Sequence, residues 1–296
     1  MALSLAEAAK LSNDTLLVGV IETIIYDSPV LQVLPFIEIV GNGLTYNQEN
    51  QAPIASFYDV GDNWTESTPT FTQKTATLKI LGGDADIDNF LAATRSNLQD
   101  LEAAIVQLKA KAVQHKFDDT FVNGDTATNP KAFDGIDKLC ESGQTVSMGP
   151  DGGTLTLEKL DELIDRVKGG KPDMLLMSKR SRRKLTALSR GTGSGILETD
   201  RNQFGQMVQF YDGIPIGIND WIADDQTVGT SSDCSTIYAL QFGEGAVAGL
   251  TSPGGLQVER VGSLEAKDAT RIRVKWYVSL ALFNTLKLAK LIGVRD

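Results

Sequence analysis

The chain has 296 residues, 42% hydrophobic and 22% charged, close to the globular average and without the bias of collagen-like or disordered sequences. Its 28 basic against 38 acidic residues leave a net charge of -10, a poor electrostatic match to nucleic acid for the chain as a whole. Two widely spaced cysteines, Cys140 and Cys234, and a single histidine exclude a disulfide framework, a zinc site and any two-histidine relay.

About three quarters of the unfolded surface of such a chain is buried on folding, enough for one large domain or two linked ones. No apolar run reaches the roughly 18 residues of a spanning helix. The first forty residues open with Ser4 and Glu7 at capping-box spacing, then the aliphatic stretch Leu16 to Ile25, and predict a helix-containing arm. Glu7 stands where a secretory signal carries its apolar core, so a cytoplasmic protein is expected. Ser28-Pro29 and Leu34-Pro35 predict extended or turn backbone, because proline restricts its own φ and disfavours helix in the residue before it.

From Gly41 to Thr77 the only aliphatic residues larger than alanine are Leu44, Ile54 and Val60. Such a stretch cannot bury itself, and its scattered Tyr46, Phe57, Tyr58, Trp64 and Phe71 predict a projecting β-hairpin that meets another surface. The clearest periodicity runs from Asp88 to about Lys116, where Leu98, Leu101, Ile105, Leu108 and Ala112 form one apolar face of a long helix. Asp86 or Asp88 caps its start and Asn123-Gly124-Asp125 closes the segment. At 1.5 Å per residue the helix extends roughly 40 Å.

Gly124 to Pro130 is a turn-rich boundary, after which the pattern becomes α+β. Leu157, Leu160, Leu163, Ile164 and Val167 predict an amphipathic helix entered through Thr154 or Thr156 and ended by Gly169-Gly170. Asp173 to Met177 is a short strand, and Ser178 caps a basic helix reaching about Arg190. Strands follow at Met207–Phe210, Ile214–Ile218, Ser235–Phe242 and Ala246–Leu250, then at Leu256–Val261 and along Arg271–Leu288, where Arg271, Arg273 and Lys275 alternate with Ile272, Val274 and Trp276.

No catalytic constellation emerges. His115 lies near the end of the predicted helix, where a positive side chain is favoured, and reads as structural. Gly191, Gly193 and Gly195 lack the Lys-Ser or Lys-Thr pair of a phosphate loop. Asp84 with Asp86, and Asp118 with Asp119, lack the spaced ligands of a calcium loop and read as helix or turn caps. The strongest charge feature is Lys179, Arg180, Arg182, Arg183, Lys184 and Arg190, which on a helix paints much of the solvent face and suits either nucleic acid or a partner's carboxylates. No enzyme activity, cofactor or metal is expected.

The order of these modules resembles the major capsid proteins of tailed bacteriophages, the Hong Kong 97-type fold. Landmarks resemble the family too: Ser28-Pro29-Val30-Leu31 to Leu34-Pro35-Phe36, Trp64-Thr65-Glu66, Phe121-Val122-Asn123-Gly124-Asp125, Phe133-Asp134-Gly135-Ile136, Met174 to Met177 with Ser178, Gly213-Ile214-Pro215-Ile216, Tyr238 to Gly243 and Arg271 to Val294. The resemblance implies an N-terminal arm over 1–40 and an extended loop over 41–82. It implies a peripheral domain with a spine helix over 83–132, an axial α+β domain over 133–254, and returning strands over 255–296.

It also implies a subunit that assembles with itself into hexamers and pentamers of a capsid shell. Portal and scaffold or decoration proteins are then further partners, the double-stranded DNA is enclosed without specific binding, and no membrane is involved. The expected location is the virion, assembled in the host cytoplasm. Expected intersubunit contacts are Tyr46, Phe57, Tyr58, Trp64, Glu66 and Phe71, with hinges at Gly41, Gly43, Gly82 and Gly83 and a charged interface at Arg180, Arg182, Arg183 and Lys184. The crosslinking of one branch of the family matches no position here. Two other readings stand beside this one: an encapsulin-type compartment with the same fold, and a DNA-binding regulator using the 179–190 helix.

Overall fold

The computed structural model describes residues 28–51, 55–68, 70–89, 98–192, 197–201 and 207–296. The expected arm helix within 1–27, the expected helix start before Leu98, and Gly193 and Gly195 lie outside them.

Ser28 caps the first element. Its Oγ accepts from the Leu31 amide at the head of α1 (Pro29–Val33), with Pro29 in the first turn. Ser28 and Leu34, the residues before the two prolines, are both extended as expected, and between them Pro29–Val33 forms a short helix. Proline in a first turn lacks an amide that no helix would have paired, and its φ is already helical. After β1 (Phe36–Glu38), strands β2 (Gly43–Gln51) and β3 (Thr70–Thr77) make a two-stranded antiparallel ribbon with Gly43 opposite Thr77 and Gln48 opposite Thr72.

Next come β4 (Lys79–Asp88) and the long helix α2 (Leu98–Asn123), whose 26 residues extend about 39 Å at 1.5 Å each. Asp86 lies within β4, paired with Arg271, and Asp88 is the last residue of that strand; the long helix runs about two turns past Lys116, further than expected. The buried stripe is Val106, Ala110, Val113, Phe117 and Phe121, while Leu108 is 68% exposed. Ile105 of the expected stripe packs against the same core, and the buried face is turned toward the side that carries two phenylalanines, which bury a large apolar area. His115 consequently sits well inside the helix, its ring centroid 6.1 Å from that of Trp221.

The remaining elements are α3 (Ile136–Leu139), β5 (Thr145–Ser147), β6 (Gly153–Thr154), α4 (Leu157–Arg166), β7 (Met174–Met177), α5 (Lys179–Thr192), β8 (Leu197–Arg201), β9 (Met207–Tyr211), β10 (Ile214–Ile218), β11 (Gln226–Val228), β12 (Ser231–Leu240), β13 (Val247–Ser263), β14 (Ala269–Leu282) and β15 (Leu288–Arg295). Thr156 Oγ1 caps α4 through the Lys159 amide, and Ser178 Oγ accepts from Ser181 at the head of α5, as the sequence pattern predicts. Asp212 and Gly213, at φ 50° and 76°, form the two-residue turn between β9 and β10 that an Asp-Gly pair favours.

A nine-stranded sheet has the order β5-β15-β12-β7-β10-β9-β8, with β11 on β12 and β6 on β15; a four-stranded sheet has the order β1-β13-β14-β4. The first is covered on both faces. Met174 and Leu176 of β7 point toward the cluster containing Phe117 and Phe121, whereas Leu175 and Met177 meet Leu160 and Leu163 of α4 and Leu185 of α5. The period-two alternation of a strand explains that division, and burial on both faces explains why β7 is apolar throughout.

The second sheet is built on long strands. β13 is a single strand where two were expected; its register shifts between Thr251 and Leu256, which accommodates Pro253. The expected run Arg271–Leu288 is instead broken: β14 ends at Leu282, Asn284 caps a 3-10 turn, and β15 joins the nine-stranded sheet. Phe117 of α2 lies 5.1 Å from Trp276 of β14, 6.2 Å from Phe36 and 5.9 Å from Phe133, centroid to centroid. This aromatic group joins helix and sheet. Cys140 and Cys234 are buried free thiols, the former pushed up to about 11 by desolvation.

Candidate assembly surface

The ribbon is rooted in its own chain. Tyr46 packs on Phe283 with ring centroids 4.8 Å apart, within a cluster that includes Ile39, Leu250 and Ala281. Burial raises its phenol above the ordinary range, and Gln48 Nε2 beside it donates to the Leu282 carbonyl at 3.4 Å. Tyr46, expected among the contacts to another chain, is therefore part of the root.

At the ribbon's tip Tyr58 stacks on Trp64 at 4.4 Å and 21° between ring planes, and the Thr65 amide donates to the Tyr58 hydroxyl at 3.2 Å. The Asp59 amide donates to Asp62 Oδ2 at 2.7 Å, so the tip is a hydrogen-bonded turn. Phe57 and Val60 stand wholly in solvent, Trp64 is 80% exposed, and Glu66 and Phe71 are exposed as well. Large apolar side chains gathered on one projection are the usual mark of a surface that meets another protein. Val60 was not among the expected contacts; a lone valine in a polar stretch gives no periodic signal.

The four expected hinge glycines divide. Gly41, at φ 119° with no atom within 4 Å of a would-be Cβ, has the conformation that glycine alone adopts easily. Gly43 faces the Ala76 carbonyl, where a Cβ would lie 2.8 Å from the oxygen. Gly82 and Gly83 are not at the ribbon's end at all. They sit inside β4 opposite Lys275 and Val274, and a Cβ on Gly82 would lie 2.4 Å from the Val274 carbonyl oxygen. Gly82 is a close-approach position in a paired strand, so the hinge assignment there is corrected. The joint itself is Asn42 and Leu78, held by the Leu78 amide donating to the Asn42 carbonyl at 2.8 Å.

The two aspartates read as caps form instead a ladder across β4 and β14. Arg271 grips Asp86 through Nε and Nη2 at 2.6 and 2.8 Å, and Arg273 grips Asp84 at 2.7 and 2.9 Å. The Arg273 hydrogen bond holds the Asp84 carboxyl below the usual carboxylate range, and Arg271 does the same for Asp86. Among the described residues no group of three or more Cys, His, Asp or Glu side chains is placed to hold a metal ion.

Two cations at the start of α5 are held within the chain. Lys179 pairs with Asp220 at 2.6 Å, and Arg180, its side chain only 17% exposed, reaches the Asp233 and Val294 carbonyls and stands 3.5 Å from Asp224. Arg182 is half-buried, with no hydrogen-bond partner for Nε among the described residues. Arg183 alone of the four expected interface cations is broadly exposed, 4.0 Å from Asp296, while Lys184 is half-buried. Arg180 is thus turned into the fold rather than toward solvent, which takes one cation from the face expected to be basic.

Comparison with solved structures places this architecture. The holo-SrpI encapsulin complex from Synechococcus elongatus PCC 7942 is similar at a TM-score of 0.72 and 19% identity, over 99% of this chain and 96% of that one. The structure described as Mycobacterium phage Bobi is similar at a TM-score of 0.61 and 14% identity, over 91% of each chain. The capsid of a native GTA particle is similar at a TM-score of 0.61 and 14% identity, over 90% of each. No curated protein sequence matches the chain. These likenesses establish the α+β, Hong Kong 97-type fold that the order of landmarks implied. The model of the phage capsid family matches residues 11–291, and over that nearly complete span the chain belongs to the phage capsid family.

Proposed function

We propose that the chain is the shell-forming subunit of a tailed bacteriophage, assembling into hexamers and pentamers that close an icosahedral capsid around double-stranded DNA. The observation that carries this reading is the ribbon tip, where Phe57, Val60 and Trp64 project into solvent on a strand pair rooted at Tyr46. Contacts of this kind, modest singly, are multiplied when hundreds of copies each make them. The net charge of -10 suits a wall that must not adhere to its contents. On this reading the protein is structural and not enzymatic, resides in the virion after assembly in the host cytoplasm, and meets a portal and scaffold or decoration proteins.

A compartment that encloses a protein cargo is the second reading, favoured by the similarity to an encapsulin over 99% of the chain. Expression of the chain, examined by negative-stain electron microscopy and light scattering, is expected to yield closed shells or capsomers that close on a change of pH or salt. A uniform monomer under every condition, with and without a candidate scaffold, would overturn the shell reading. The absorbance ratio at 260 and 280 nm of native particles then separates the contents: a nucleic-acid ratio supports the phage capsid, a protein ratio the compartment.

A further inference from the structure

A buried polar cluster lies beneath α1. Ser28 is fully buried and its hydroxyl acts twice: it accepts from the Leu31 amide at 3.3 Å, capping α1, and donates to Asp118 Oδ1 on α2 at 2.7 Å. Asp118 is 7% exposed and Gln114, one turn earlier on α2 and also bonded to Asp118, is 3% exposed. Gln114 Oε1 has no hydrogen-bond donor among the described residues. Among the described residues, helix α1 brings no ionisable side chain; on α2, His115 acts on Asp118, while Lys116 and Asp119 pair with each other at 2.7 Å.

We propose that Ser28, Asp118 and Gln114 form a proton-operated catch that fixes α1, and with it the base of the N-terminal arm, to the spine helix when Asp118 is neutral and eases when it is ionised. A proton on Asp118 removes a buried charge and adds a donor to a cluster in which one acceptor has none. Burial of Asp118 pushes the carboxyl up to about 6, against 3.8 for a solvated aspartate, outweighing the hydrogen bonds from Ser28 and Gln114, which act to lower it. The sign follows from linkage. The docked state binds the proton more tightly, so docking is strongest below the solvated value and weakens as pH rises to about 6, then levels off. Between pH 5 and 7 the docking equilibrium is expected to fall about tenfold.

The test is hydrogen exchange on the full chain, read at the amides of Leu31 and Leu34, which pair with Ser28 Oγ and the Val30 carbonyl. After correction for intrinsic exchange, wild-type protection is expected to drop about tenfold from pH 5 to 7. Asp118→Asn should show no such drop, and His115→Gln should retain it. A flat wild-type profile overturns the catch, even if Asp118→Asn does not fold. So does an Asp118→Asn profile that still falls. Neither outcome depends on whether shells form.

Discussion

Gly82 shows how a residue's role turns on a single contact. A methyl group there would lie 2.4 Å from the Val274 carbonyl oxygen, and backbone on a paired strand has no easy direction in which to yield. Its neighbour Gly83 would bring a Cβ only to 3.7 Å from Lys109 Cδ, an ordinary contact with a flexible side chain. Gly82→Ala is therefore expected to destabilise the subunit by about 1–3 kcal/mol, in line with overpacking elsewhere, and Gly83→Ala by no more than about 0.5 kcal/mol. Denaturant unfolding of the two variants checks this. Equal losses would mean that β4 and β14 are less closely paired than described.

At the scale of the element, α2 buries Val106, Ala110, Val113, Phe117 and Phe121, with Ile105 of the expected stripe packed against the same core and Leu108 turned to solvent. Phe117 lies among Phe36, Phe133 and Trp276, so Phe117→Ala is expected to cost about 3–5 kcal/mol, the range for deleting a buried phenyl ring. Leu108 is 68% exposed, and Leu108→Ala should change subunit stability by at most about 0.5 kcal/mol. Thermal or denaturant unfolding under non-assembling conditions distinguishes the stripes; the reverse order would place the helix in the register that periodicity alone suggests. The expected stripe was legible because leucine and isoleucine at intervals of three and four are conspicuous. The stripe that is buried mixes Ala110 with phenylalanines, and its value depends on rings brought from β1, β14 and the segment before α3.

For the whole molecule, the separation of a rooted ribbon from its bare tip means that folding and association draw on different residues. Tyr46 and Gln48 hold the ribbon to the body, whereas Phe57 and Trp64 contribute little to the folded chain beyond the stack on Tyr58. The double variant Phe57→Ala, Trp64→Ala is expected to leave the unfolding transition of the isolated subunit within about 1 kcal/mol of wild type. Its capsomers or shells should be lost, or shifted to higher protein concentration, in light scattering. Normal shells from this variant would remove the tip from the assembly surface. Loss of the unfolding transition would instead make the tip part of the fold.

The sequence by itself determined the α+β class, the caps at Thr156 and Ser178, the amphipathic α4, the short apolar β7 and the polar stretch that projects as a ribbon. These features rest on signals within one or two turns of chain: capping hydroxyls, hydrophobic period, and the want of aliphatic residues between Gly41 and Thr77. Tertiary structure alone decided which stripe of α2 is buried, that Gly82 is a close approach, that Tyr46 roots the ribbon and that Asp84 and Asp86 face arginines. Those outcomes depend on partners far along the chain, 185 residues for Arg271 with Asp86 and 90 for Ser28 with Asp118, and local pattern carries no record of such pairings.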